Sequence, residues 1–138
     1  MPELPEVETV RRGLQHLITG FRISAAHDLH PRALKPESIA PLHALNGAKI
    51  TGTNRRGKFM WITLNRPYVL VAHLGMSGQF LIHQKDRPQA THIRAQFQLK
   101  KPLLQLKKPL RNLELVFNDQ RTFGWLSIEE LTNNVPTS

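Results

Sequence analysis

The sequence predicts a mainly β, α+β domain: a β-sandwich or flattened barrel flanked by an N-terminal α-helix and a further short helix. Three observations lead there. One apolar stripe at helical spacing opens the chain, many short apolar runs broken by turn residues follow it, and 40% of the 138 residues are hydrophobic. That share is enough for one domain with a real core. The chain has no cysteine, so neither a disulfide framework nor a thiolate metal site holds it together.

The opening helix is read over Pro5–Ile18. Pro5 fits a first helical turn, where its missing N–H costs nothing. Glu6 and Glu8 suit the positive end of the helix dipole, and Arg11 and Arg12 lie toward the other end. Val7, Val10, Leu14, Leu17 and Ile18 form one stripe, and Gly20 is a stop signal. Strands are expected at Arg22–Asp28, Lys49–Thr53, Lys58–Leu64, Tyr68–Leu74, Gln79–His83, Ile93–Leu99 and Leu113–Asn118. His30–Asn46 reads as a Pro-containing connection with a helical turn around Ser38–Leu45. Asn54-Arg55-Arg56-Gly57 has the make-up of a hairpin loop, and Ser127–Leu131 reads as a short helix capped by Ser127. Lys100-Lys101-Pro102-Leu103 recurs as Lys107-Lys108-Pro109-Leu110. Proline lacks the ladder donor, so this stretch reads as a solvated loop or hairpin tip.

Charge narrows the partner class. Nineteen Lys and Arg against ten Asp and Glu give a net charge of +9, the electrostatic footprint of a phosphate binder. The first residues are acidic and helical, so no signal peptide is visible, and no apolar run is long enough to span a membrane. The histidines are scattered without cysteine or acidic partners and show no metal-ligand spacing; His27 and His30 read as surface or turn residues.

The residues that carry chemistry begin at the N-terminus, Met1-Pro2-Glu3-Leu4-Pro5-Glu6-Val7-Glu8-Thr9-Val10-Arg11-Arg12-Gly13-Leu14. Once Met1 is removed, Pro2 is a secondary amine able to form an iminium with a sugar aldehyde. Glu3 stands beside it for proton transfer. While Met1 stays attached, the Pro2 nitrogen is an amide with a delocalised lone pair and cannot form an iminium. Helix formation explains Pro5 onward and says nothing about Pro2-Glu3. Further along, Arg55, Arg56 and Lys58 around Gly57 suit phosphate binding. Met76, within His73-Leu74-Gly75-Met76-Ser77-Gly78, is an unbranched side chain that can fill a gap in a base stack. Arg121 and Phe123, within Asn118-Asp119-Gln120-Arg121-Thr122-Phe123-Gly124, offer a guanidinium for a base edge and a ring for a wedge.

In this order, these segments resemble the formamidopyrimidine-DNA glycosylases, bacterial enzymes that excise oxidised purines from DNA. The resemblance implies a two-layered β-sandwich with helices, with Pro2 as nucleophile, Glu3 as proton carrier and Lys58 assisting β-elimination while contacting the phosphate of the lesion nucleotide. It also implies that Met76, Arg121 and Phe123 fill the void left by an extruded nucleotide, and that His73 and His92 contact DNA. Thr122 stands where the family has a second Arg and Gln120 where it has Pro, which weakens backbone grip there and leaves the chemistry intact. The expected partner is double-stranded DNA bearing an oxidised purine or an abasic site. A monomer in the bacterial cytoplasm, at the nucleoid, is expected, with no membrane partner. The resemblance further implies that residues 1–138 correspond to the N-terminal catalytic domain. On that resemblance the family's helix–two-turn–helix segment and four-cysteine zinc finger would belong to a C-terminal part outside this chain, so no cofactor or metal is expected in it. Two other readings stay open at this point: a DNA-binding fragment inactive without that part, and an N-terminal-proline tautomerase, in which the proline is a general base toward small keto acids.

Overall fold

The computed structural model describes residues 4–75, 77–83, 91–101, 111–120, 124–132 and 135–136. Helix α1 (Leu4–Ile18) is followed by strands β1 (Arg22–Asp28), β2 (Ile50–Arg56), β3 (Phe59–Leu64), β4 (Tyr68–His73), β5 (Gly78–His83), β6 (Ile93–Lys101), β7 (Arg111–Asp119), β8 (Trp125–Thr132) and β9 (Val135–Pro136), with a short 3₁₀ turn at Leu42–Leu45. Two sheets result, one of four strands in the order β1-β6-β7-β5 and one of five in the order β2-β3-β4-β8-β9. Every pairing between these described strands is antiparallel.

Both sheets turn one face inward, so the alternation along each strand decides what enters the core. Met60, Ile62, Leu70, Ala72, Leu126 and Ile128 from the larger sheet meet Ile23, Ala95, Phe97, Leu99, Leu115 and Phe117 from the smaller one in a single buried cluster. Val7, Leu14 and Ile18 of α1 join it, while Leu17 remains 45% exposed. Leu17 therefore lies beside the apolar stripe and not in it. Gly20 ends the helix with a φ of +92°, a conformation that glycine adopts at little steric cost.

Three local readings are corrected. Ser127–Leu131 is not a helix. It is part of β8, because Leu126 and Ile128 alternate into the core and the run pairs with β4 from Tyr68↔Glu130 to His73↔Trp125. The β2–β3 hairpin is also tighter than its sequence suggests, since pairing continues to Arg56↔Phe59. Only Gly57 and Lys58 form the turn, and Gly57 takes the positive φ, +59°, that such two-residue loops require. The helical turn expected around Ser38–Leu45 is confined to Leu42–Leu45, because residues 33–39 run beside β8. There Lys35 N–H donates to the Leu126 carbonyl and Ile39 N–H to the Ile128 carbonyl, which covers a strand edge that would otherwise invite pairing. The Lys-Lys-Pro repeat lies largely outside the described residues.

Candidate active site

One end of the sandwich gathers the sequence motifs, for a topological reason. β4 and β8 are neighbours in one sheet, β5 and β7 in the other. The chain crosses between the sheets twice here, from β4 to β5 and from β7 to β8, and the pairs His73↔Trp125 and Gly78↔Asp119 place the two crossovers side by side. The start of β6 reaches the same end through Ile93↔Asn118, and so does the β2–β3 turn through Phe59↔His73. Lys58, His73 and His92 are thus at one end of the fold. Pro2, Glu3, Met76, Arg121 and Phe123 lie outside the described residues, although described neighbours flank Met76 and the 121–123 segment in the chain.

The helix that follows Pro2-Glu3 is fastened to the hairpin that carries Lys58. Glu8 accepts hydrogen bonds from Arg11, Arg12 and Arg55, the last at 3.0 Å across the gap between helix and strand. Two turns further on, Gln15 Oε1 accepts the Thr53 backbone N–H at 2.6 Å. Sequence reading placed Glu8 at the helix dipole and Arg55 among phosphate binders, and missed their ion pair because they are distant in the chain. The Arg11 and Arg55 guanidiniums, together with Arg12, hold the Glu8 carboxyl well below the usual carboxylate range. A carboxyl depressed in the folded state stabilises above its ordinary pKa of about 4.3, and that contribution is lost as pH falls further. Glu8→Gln is therefore expected to lower the melting temperature at pH 7, with the gap from the parent narrowing steadily as melts are taken from pH 5 to pH 3. A pH-independent gap would contradict the ion-pair account.

Beside Lys58, the outward face of the larger sheet carries an aromatic row. His73 stacks on Trp125 with ring centroids 5.5 Å apart and planes 14° from parallel, and Phe59 lies 5.1 Å from the His73 ring. Lys35 places its ammonium 4.3 Å from the Trp125 ring centroid, a cation–π contact. Next to this row, Arg56, Gly57, Lys58, Phe59, Trp61, Val71 and Pro136 line a concavity of about 420 Å³. Burial, then the charges of Lys58 and Lys35, push the His73 pKa down, so its imidazole favours the neutral form. Its Nδ1 is buried without a hydrogen-bond partner among the described residues, a cost of roughly 1–3 kcal/mol that folds more readily bear at functional sites. Lys58→Gln should raise the His73 titration midpoint, read by NMR of the imidazole protons. Burial is the larger cause, so the recovery toward the ordinary value of about 6.5 will be partial. An unmoved midpoint would remove the electrostatic link between the two residues. Lys35 and Trp125 carried no motif signal; only the pairing of β4 with β8 brings them to His73.

The two crossovers are bonded to each other through Asp119, which is fully buried. Its carboxyl group accepts the Ser77 hydroxyl at one oxygen and, at 2.6 Å, the Gly124 backbone N–H at the other. Its backbone N–H donates to the His92 carbonyl at 3.0 Å, and its own carbonyl accepts from Arg94 Nε at 2.9 Å. His92 is further fixed by its N–H to Asn118 Oδ1 at 3.0 Å. The same three segments that sequence reading assigned to DNA contact therefore meet at one residue, two through the Asp119 carboxyl group and the third through its main chain.

The chain has no cysteine, and the described residues contain no cluster of three or more His, Asp or Glu able to hold a metal. Among the described residues no helix is long and apolar enough to cross a membrane.

Comparison with known proteins places this arrangement. The formamidopyrimidine-DNA glycosylase N-terminal domain family matches residues 1–126. The formamidopyrimidine-DNA glycosylase of Acidothermus cellulolyticus is 43% identical over 141 residues, which covers 100% of this chain and 46% of that protein. That of Mycobacterium tuberculosis is 44% identical over 143 residues, covering 96% and 45%. The chain thus spans about half the length of the curated relatives it matches. Among solved structures, the Lactococcus lactis Fpg in complex with abasic-site DNA superposes with a TM-score of 0.74 at 28% identity, covering 94% of this chain and 44% of that one. A MutM in complex with DNA containing carbocyclic 8-oxo-G matches with the same score, identity and coverage.

Proposed function

Since the chain belongs to the formamidopyrimidine-DNA glycosylase family, whose N-terminal domain it matches over residues 1–126, we propose that it is the catalytic part of a base-excision repair enzyme. The substrate is duplex DNA with an oxidised purine or an abasic site. The observation that carries this reading is the gathering of Lys58, His73, His92 and both motif-bearing crossovers at one end of the sandwich.

The target nucleotide leaves the stack, because its sugar carbon is otherwise out of reach. The free Pro2 nitrogen attacks the anomeric carbon, the bond to the base breaks, and Glu3 moves the protons at the sugar that let the ring open. The iminium draws electrons from the adjacent carbon, so a proton is lost there and the 3′-phosphate departs by β-elimination, assisted by Lys58. δ-Elimination then removes the 5′-phosphate. Neutral His73, with Lys58 and Lys35 at hand, serves as a hydrogen-bond donor to a backbone phosphate, while the lysines supply charge. Met76, Arg121 and Phe123 occupy the vacated space in the duplex. On this reading the protein acts as a monomer in the bacterial cytoplasm, at the nucleoid.

Borohydride trapping with abasic-site duplex, on protein whose intact mass shows Pro2 at the terminus, tests the reading. A covalent protein–DNA adduct is expected, and none from a chain that retains Met1. Duplex binding without an adduct would replace the enzyme by a binding module. Neither binding nor adduct, with turnover of small keto acids, would favour a tautomerase.

A further inference from the structure

We propose that Asp119 is the positioning residue that holds the β4–β5 and β7–β8 crossovers in one fixed relation, so that Met76 and the 121–123 segment enter the duplex as a unit. The part of this that concerns DNA rests on the reading given under Proposed function.

A carboxyl group with no exposure has to place both of its oxygens on donors, because an unmet polar group in a dry interior is costly. Asp119 does so with one donor from each crossover: the Ser77 hydroxyl, next to position 76, and the Gly124 N–H, next to position 123. The backbone forces the same closeness. A β-carbon on Gly124 would stand 2.8 Å from the carbonyl oxygens of both His73 and Leu74, and 2.9 Å from Asp119 Oδ2. Gly124 thus lies directly on the backbone of the first crossover, and Gly78 N–H closes that crossover on itself by donating to the Leu74 carbonyl at 2.8 Å. Through its main chain Asp119 also fixes His92 and Arg94 at the start of β6. Wedging side chains have to displace stacked bases, and a loop free to recoil would lose that work in its own displacement. Joining two crossovers, each anchored between two strands, supplies the stiffness that neither has alone.

The test uses Asp119→Asn, Ser77→Ala and Ser77→Thr. An asparagine keeps one acceptor oxygen and presents an NH₂ group where the second stood, so the Ser77 hydroxyl and the Gly124 N–H can no longer both donate to it, and the Ser77 bond survives only if that hydroxyl turns round to accept. In the chain without DNA, amide hydrogen exchange at Gly124 is expected to accelerate about ten-fold in Ser77→Ala, the loss of one ordinary hydrogen bond. The amides of Met60 and Ile62 should stay unchanged, and Ser77→Thr should restore Gly124. Unchanged Gly124 exchange in both Asp119→Asn and Ser77→Ala would overturn the clasp. With a duplex carrying an abasic-site analogue beside 2-aminopurine, the parent chain and Ser77→Thr should give the fluorescence rise of an unstacked base, and Asp119→Asn and Ser77→Ala should give little of it at saturating protein. An equal rise in all four would overturn the delivery role even if exchange had changed. No rise in the parent would count against the glycosylase reading, while exchange alone still decides whether Asp119 joins the crossovers.

Discussion

Glu3→Gln is expected to cut single-turnover excision of an oxidised purine from duplex DNA by about 100- to 10,000-fold, the range that a positioned general acid or base contributes. Cleavage of a preformed abasic site should fall far less, because the base has already left and the open aldehyde accepts the Pro2 amine without help at the ring oxygen. Borohydride adducts with abasic DNA should persist for the same reason. Glutamine keeps the shape of the side chain and removes only the titrating proton, so the split between the two activities isolates proton transfer from binding. Met76→Ala and Arg121→Ala should lose lesion recognition in duplex DNA, since their assigned work is to replace the flipped nucleotide. If Glu3→Gln lowered excision and abasic-site cleavage equally, Glu3 would have to be reassigned to substrate binding.

Gly124→Ala carries a large expected effect on stability. The added methyl would meet the His73 and Leu74 carbonyl oxygens at 2.8 Å and the Asp119 carboxyl at 2.9 Å. Two of these three neighbours are backbone and cannot swing away, so the crossovers have to part. Overpacking of this kind costs roughly 3 kcal/mol, which for a chain of this size lowers the melting temperature by roughly 10 °C. Gly13→Ala is the control of opposite sign. Gly13 lies exposed in α1 with nothing within 4 Å of an added β-carbon, so alanine there should stabilise by up to about 1 kcal/mol. Melting curves of the two variants decide the matter, and a Gly124→Ala protein as stable as its parent would mean that the two crossovers do not lie in contact.

What the sequence determined by itself was whatever depends on local chemistry. The amine at Pro2, its neighbouring carboxyl and the order of the motif segments are properties of the chain, and they pointed to the family before any fold was known. The helical stripe of Val7, Val10, Leu14 and Ile18 and most strand runs were legible because their periods, 3.6 and 2, are written in consecutive residues. Tertiary structure decided whatever depends on partners far away in the chain. Ser127-Ile128-Glu129-Glu130-Leu131 has the look of a capped helix, yet pairing with β4 and burial of Ile128 between the sheets outweigh a weak local preference. Leu17 has the right residue type for the core and faces solvent, because the sheets cover only part of the helix circumference. Arg55 reads as a phosphate binder in the sequence, and only the fold shows that it also pairs with Glu8. Asp119, one residue of a recognised motif, had no visible task until two sheet-to-sheet crossovers were laid side by side. No periodicity records that juxtaposition, since it follows from which strands neighbour which in two different sheets.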